Sequence, residues 1–287
     1  MGDPASTHLL PGLDWLVKLG LGLIVTSAGV LLIRPLHRGA LRFALGIFII
    51  ETGVLVAIRG IVAAGGSSWW QYLMPFALVL VPGGFIAVVL TRLRWWRQVG
   101  FTPLRDWHAP HLVIPLCLIL ALPIVGLSAR GVMATTALVL ALQLGFVVID
   151  IFMEEVTYRG VILEALAGFS SASRVTLSAI LFGLSHLDNL FLPRADELGV
   201  AYQIVEASLV AILFGAVRLR MNTIWPVMVV HATYNVLLVL AFGHAFPVAP
   251  TVPGFLVATV VNLGLAGVGI FLLRAGRRGD VTMQEAA

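Results

Sequence analysis

Glu154 and Glu155 stand side by side at the end of an apolar stretch, and Arg159 follows the second by four residues. Further along, His186 closes another apolar run, Glu206 lies inside a third, and His231 and Asn235 occupy a fourth at a spacing of four. Carboxylates, imidazoles, a guanidinium and an amide are the groups needed to hydrolyse a bond: a base to activate water and donors to stabilise an oxyanion. An ionisable group in hydrocarbon costs about 2.5–3.5 kcal/mol even on insertion scales, so such groups face a polar cavity and mark function. An intramembrane hydrolase is the reading these residues favour.

The first motif runs Met153-Glu154-Glu155-Val156-Thr157-Tyr158-Arg159-Gly160. In a helix, Glu155 and Arg159 have the spacing and order of a carboxylate–guanidinium pair. Glu154 projects about 100° away from Glu155, so one carboxylate can be held as structure while the other acts on water. The bland alternative is that both glutamates simply end the helix at the membrane surface. The second motif, Phe182-Gly183-Leu184-Ser185-His186, puts Phe182 and His186 on one face, with Gly183 open to close approach by another backbone. Its alternative is an interfacial histidine with a local partner. The third, His231-Ala232-Thr233-Tyr234-Asn235, aligns two polar heads on a helix that Pro226 is placed to begin. Such a pair also serves as interhelical glue.

Depth separates these alternatives. With inner helix ends near 166, 174 and 223, the 1.5 Å rise puts Glu154 and His186 about 18 Å deep and His231 about 12 Å deep. Helices of alternating direction thus bring the three groups to comparable levels, as a shared cavity requires.

The elements that position them are membrane helices. Of 287 residues, 60% are hydrophobic and 11% charged, with mean hydropathy +1.02, against roughly 25% charged in soluble domains. Apolar runs fall near 13–33, 43–63, 70–91, 111–129, 132–153, 174–187, 202–217, 223–242 and 254–273. They are continuous rather than alternating, which favours helices over a barrel. The expected fold is an all-α polytopic integral membrane bundle of about eight or nine transmembrane helices. The first run lacks a basic leader and a small-residue cleavage site, so no cleavable signal peptide is expected. The single cysteine, Cys117, excludes an intrachain disulfide and a Cys-rich metal site.

The net charge of +4 does not signal nucleic-acid binding once the arginines are placed. Arg34, Arg38 and Arg42 fall in the first connection, and Arg92, Arg94, Arg97 and Arg105 in the third. Arg174, then Arg218 and Arg220, then Arg274, Arg277 and Arg278 follow later spans. The intervening connections hold Arg59, Arg130 and Arg194, the last offset by Asp188, Asp196 and Glu197. This alternation is the positive-inside pattern and predicts an outside amino terminus and a cytoplasmic carboxyl terminus. The expected location is a bacterial-type plasma membrane.

Three regions are expected: accessory helices and an interfacial segment over 1–109, a catalytic helical core over 110–242, and a final span with a basic tail over 243–287. Trp95, Trp96 and Trp107 among arginines, with Pro103, mark Arg92–His108 as the interfacial segment. Glu51 and Arg59 read as a helix–helix contact or interfacial anchor. Glu206 either lines the cavity or bonds across helices, with the structural role favoured, and Asp150, one turn before Glu154, is open to the same two readings.

Glu-Glu-x-x-x-Arg, then Phe-x-x-x-His, then His-x-x-x-Asn on successive apolar helices resembles the CPBP family. That family comprises type II CAAX prenyl endopeptidases, bacterial Abi proteins and bacteriocin-processing or self-immunity proteins. Phe214-Gly215 and Thr223-Ile224-Trp225-Pro226 also resemble the approach to its last motif. The resemblance covers roughly 110–242. It implies an intramembrane endopeptidase cutting a membrane-associated peptide or protein, with Glu154 as general base assisted by His186, His231 and Asn235 holding the carbonyl and its oxyanion, and Glu155 and Arg159 supporting the site. Desolvation makes a carboxylate a better base near neutral pH, which suits Glu154. Zinc held by the glutamate and two histidines and a metal-free glutamate mechanism both stay open, although His-Glu-x-x-His is absent.

Two other classes compete. A non-catalytic scaffold or bacteriocin self-immunity protein would share the fold, but has no need of a base, two imidazoles and an amide together. A proton-relay transporter would show repeats or broken helices in both halves, and the sequence shows no repeat.

Overall fold

The computed structural model describes residues 14–33, 39–64, 68–104, 110–191, 196–242 and 252–284. Arg34, Arg38, Arg105, Trp107 and Arg194 lie outside them. The described residues form helices and short connections, without strands.

The chain begins with α1 (Asp14–Ile33) and α2 (Ala40–Ala64), an antiparallel pair. Small residues bring their backbones together: a Cβ on Gly29 would lie 2.7 Å from Ile50 Cγ1. Close approach of this kind supplies the packing that replaces a hydrophobic driving force in lipid. Helix α3 is Ser68–Leu93, and α4 (Pro110–Ile119) and α5 (Ala121–Arg130) divide the fourth apolar run. Pro123 explains the division, since its ring clashes with the carbonyl four residues back and supplies no N–H.

Helix α6 (Ala137–Glu155) starts on Thr136, whose hydroxyl accepts from Val139 N at 3.3 Å. It widens into a π-helix over Val156–Ile162 and closes as α7 (Leu163–Ala165), making one apolar stretch over Ala137–Ala165. Helix α8 (Ser171–Ser185) is capped by Ser170, which accepts from Ser173 N at 3.2 Å, and continues as a 3₁₀ turn over His186–Phe191. Helices α9 (Glu197–Met221), α10 (Trp225–Phe242) and α11 (Val252–Gln284) complete the bundle. Asn222 turns the chain between α9 and α10 in the left-handed conformation, at φ 50°.

Among the described residues, seven helices are long and apolar enough to cross a bilayer. The sixth predicted run corrects the simple count. Helix α8 has 15 residues, so it rises only about 22 Å in α-helical form against a hydrocarbon core of about 30 Å. Within the third, the stretch Val79–Leu93 is apolar but short. Large apolar side chains such as Ile24, Leu138, Val260 and Phe271 point outward, as lipid contact requires.

One buried cluster joins Phe43, Ile47, Ile86 and Leu90 of α2 and α3 to Val156, Tyr158 and Ile162 of the π-helix, Phe182 of α8 and Phe214 of α9. The first helices therefore pack directly on the motif-bearing ones. The segment after α3 does so too. Arg218, expected as an inner-loop charge, is buried inside α9 and donates to the Gln98 carbonyl at 2.7 Å and that of Val99 at 3.3 Å. Ile224 N donates to Gly100 O at 3.0 Å, and Thr223 Oγ1 to Thr102 O at 3.0 Å. The interfacial segment is thus stitched to the α9–α10 turn while Trp96, Arg94 and Arg97 remain exposed.

Candidate functional site

The α6–π junction carries the two glutamates, α8 ends at His186, and α10 carries His231. Glu155 and Arg159 form an ion pair at 3.1 Å, and both are buried. The expected spacing thus produces the expected contact. Glu155 Oε1 also accepts a hydrogen bond from His231 Nδ1 at 2.7 Å. A carboxylate fixed by a guanidinium is an acceptor only, so the Nδ1 proton is held and the other ring nitrogen is left to the site. That nitrogen, Nε2, faces Glu154, whose Oε2 lies 3.9 Å away. His231 therefore stands between the two adjacent carboxylates, one at each ring nitrogen.

Arg159 cannot be solvated at this depth, and aromatic faces take part of that role. Its guanidinium carbon lies 3.9 Å from the ring centroid of Phe182 and 5.3 Å from that of Phe214. Cation–π contacts of this kind are worth about 2 kcal/mol when desolvated. Phe182 also packs edge-on against Tyr158, His186 and His231, with centroids 5.2, 5.1 and 6.0 Å apart. His186 reaches the cluster through this ring. Its Nδ1 donates to the Phe182 carbonyl at 3.0 Å, the neutral tautomer that presents Nε2 as a lone pair.

The close approach predicted at Gly183 is present: a Cβ there would lie 2.5 Å from the carbonyl oxygen of Ile204 in α9. Asn235 stands one turn beyond His231 on α10 and is half-buried. The hydrogen bonds and ion pairs among the described residues do not tie it to the cluster. Glu154, Glu155, Arg159 and His231 are thus brought into direct reach, His186 is joined through Phe182, and Asn235 shares only the helix face.

Several participants had no motif to announce them. The π-helix widens the backbone immediately after the paired glutamates, and such turns recur at functional sites. The carbonyl of Tyr158 accepts from Leu163 N across the wide turn and from Ser178 Oγ at 2.6 Å, which anchors the distortion to α8. Glu206 belongs elsewhere: it accepts from Thr259 Oγ1 at 2.7 Å and from Asn262 Nδ2, joining α9 to α11. Arg59 donates to Asp188 at 2.5 Å and to Asn189 at 3.2 Å, a contact between α2 and the 3₁₀ turn.

Zinc would need three free donors from these side chains. Each nitrogen of His231 faces a carboxylate, and Nδ1 of His186 is taken by a backbone carbonyl. Among the described residues, no three His, Cys, Asp or Glu side chains converge as ligands. The residues as placed do not fit a three-ligand zinc site.

Residues 135–237 match the family described as type II CAAX prenyl endopeptidase Rce1-like. The matched segment contains all three motifs, and the match supports the CPBP intramembrane protease resemblance that they carry. The comparisons with curated proteins and with solved structures gave no match.

Proposed function

We propose that the chain is an intramembrane endopeptidase that hydrolyses a peptide bond in a membrane-associated protein or peptide. The observation that carries this reading is the Glu155–His231–Glu154 arrangement, with contacts of 2.7 and 3.9 Å. It has the form of an oriented imidazole beside a second, partly accessible carboxylate.

Glu154 takes a proton from a water molecule, whose oxygen attacks the scissile carbonyl carbon. Negative charge then develops on the carbonyl oxygen. The proton taken by Glu154 is shared with His231 Nε2, which donates it as a hydrogen bond to that oxygen while Glu155 holds the Nδ1 proton, and returns it to Glu154 as the charge collapses. Asn235 adds an amide donor from the same helix face. Collapse of the tetrahedral species breaks the C–N bond, and the proton on Glu154 passes to the leaving amine. His186 presents its Nε2 lone pair to assist the base. Arg159 pairs with Glu155 and so fixes the carboxylate that holds His231 in one tautomer.

The membrane is the expected working environment, since the family match and the apolar helices agree on an integral membrane protein. On the arginine pattern, the α6–α8 and α9–α10 turns face the cytoplasm. The decisive experiment is cleavage of membrane-anchored peptides by purified protein in detergent, wild type against Glu154→Ala. New termini that appear with the wild type and not with the variant support the reading; equal cleavage by both overturns it.

A further inference from the structure

Behind Glu154, on the side away from the α9–α10 turn, lies a second group of polar side chains that the mechanism does not use. Glu51 of α2 is 3% exposed, Tyr158 of the π-helix is fully buried, and Asp150 is one turn before Glu154. Glu51 lies within electrostatic range of Tyr158, Asp150 and Asp188, and Glu154 within range of Asp150 and Glu51. Ser185 approaches Tyr158 as well. Its hydroxyl donates to the Phe182 carbonyl at 2.7 Å, which leaves its oxygen free to accept.

Glu51 Oε2 and the Tyr158 hydroxyl approach one another, yet neither makes a well-aligned hydrogen bond to protein. Each is fully enclosed, and leaving such a group unsatisfied costs about 1–3 kcal/mol, more when charged. They bring together α2, the π-helix and, through Ser185, the end of α8. The groups present are those a bound water needs, which is two to four polar partners of mixed donor and acceptor character. A cation is a poorer fit, because no three ligating side chains converge among the described residues.

We propose that Glu51, Tyr158, Asp150 and Ser185 hold a small cluster of buried water behind Glu154, and that Glu51 is a positioning residue which keeps this water supplied to that carboxylate. The role in turnover rests on the endopeptidase reading; the water pocket itself does not. Each turnover consumes one water at a site enclosed by hydrocarbon, so a reservoir adjacent to the base removes the need to draw water through the substrate-filled cleft.

Radiolytic hydroxyl labelling of the full chain in detergent tests the pocket without requiring turnover, because buried side chains label only next to bound water. After correction for intrinsic reactivity, Tyr158 labels several-fold faster than Phe43, a buried aromatic of the apolar core. Glu51→Leu lowers that rate to the Phe43 level, and Glu51→Gln, which keeps hydrogen-bonding atoms, largely restores it. Tyr158 labelling no faster than Phe43, or unchanged in Glu51→Leu, overturns the pocket. In the cleavage assay, Glu51→Leu lowers kcat about tenfold with KM unchanged, the signature of a loss confined to the chemical step. A wild-type kcat overturns the positioning role. Should Glu51→Leu not fold, Tyr158→Phe removes one wall oxygen and carries the same kinetic test. If the wild type cleaves no peptide, the endopeptidase reading fails while the labelling still decides the pocket.

Discussion

His231 Nδ1 lies 2.7 Å from Glu155 Oε1, and this one hydrogen bond determines which ring nitrogen faces Glu154. Glu155→Gln tests its importance. The amide can turn its NH₂ toward Nδ1, which drives the ring proton to the wrong nitrogen. We expect kcat to fall by about 10²–10⁴ with little change in folded yield. Steady-state kinetics on the purified variant measures it, and a kcat within threefold of wild type would show that the bond does not set the tautomer.

Glu154→Gln should abolish turnover while the protein remains folded and binds substrate. The amide matches the carboxylate in shape but cannot take a proton from water, and loss of a general base costs about 10²–10⁴ in rate. Peptide binding by fluorescence anisotropy, beside a cleavage assay, separates the two effects. Wild-type cleavage by this variant would remove Glu154 from the base role.

Arg159→Ala leaves Glu155 as a buried carboxylate without its cation. Breaking a buried pair from one side costs about 3–5 kcal/mol, so folded yield and activity should fall together. Arg159→Lys keeps the charge but loses the planar contact with Phe182, and should recover part of the yield. Size-exclusion profiles in detergent report the yield. A fully folded, fully active Arg159→Ala protein would contradict the role assigned to the pair.

Because the donors do not converge on a three-ligand metal site, cleavage should survive prolonged chelation with less than a twofold loss. Elemental analysis of wild type and His231→Ala supplies the opposing outcome. Stoichiometric zinc in the wild type, lost together with activity in His231→Ala, would assign that residue as a ligand.

Much of this was legible because hydrocarbon makes polar residues conspicuous. Glu154, Glu155, Arg159, His186 and His231 stood out against apolar runs, and the four-residue spacing of Glu155 and Arg159 correctly gave their contact. The π-helix was not legible, since widening depends on tertiary partners such as the Ser178 hydroxyl rather than on a local signature. The shortness of α8 was legible, since the sixth apolar run spans only 174–187. Glu51 read as a helix–helix contact or interfacial anchor; only the fold sets it against Tyr158, more than a hundred positions away.

The ring of Phe182 touches Arg159, Tyr158, His186 and His231 at once. Residues sharing one packing partner do not contribute independently, and their deletion energies couple by about 0.5–3 kcal/mol. Truncating Phe182 should therefore make the later loss of His186 or Arg159 far less damaging than in the intact protein. For the same reason, tolerated variation at these motif positions should arise in concert, with a compensating ring substitution, rather than one residue at a time.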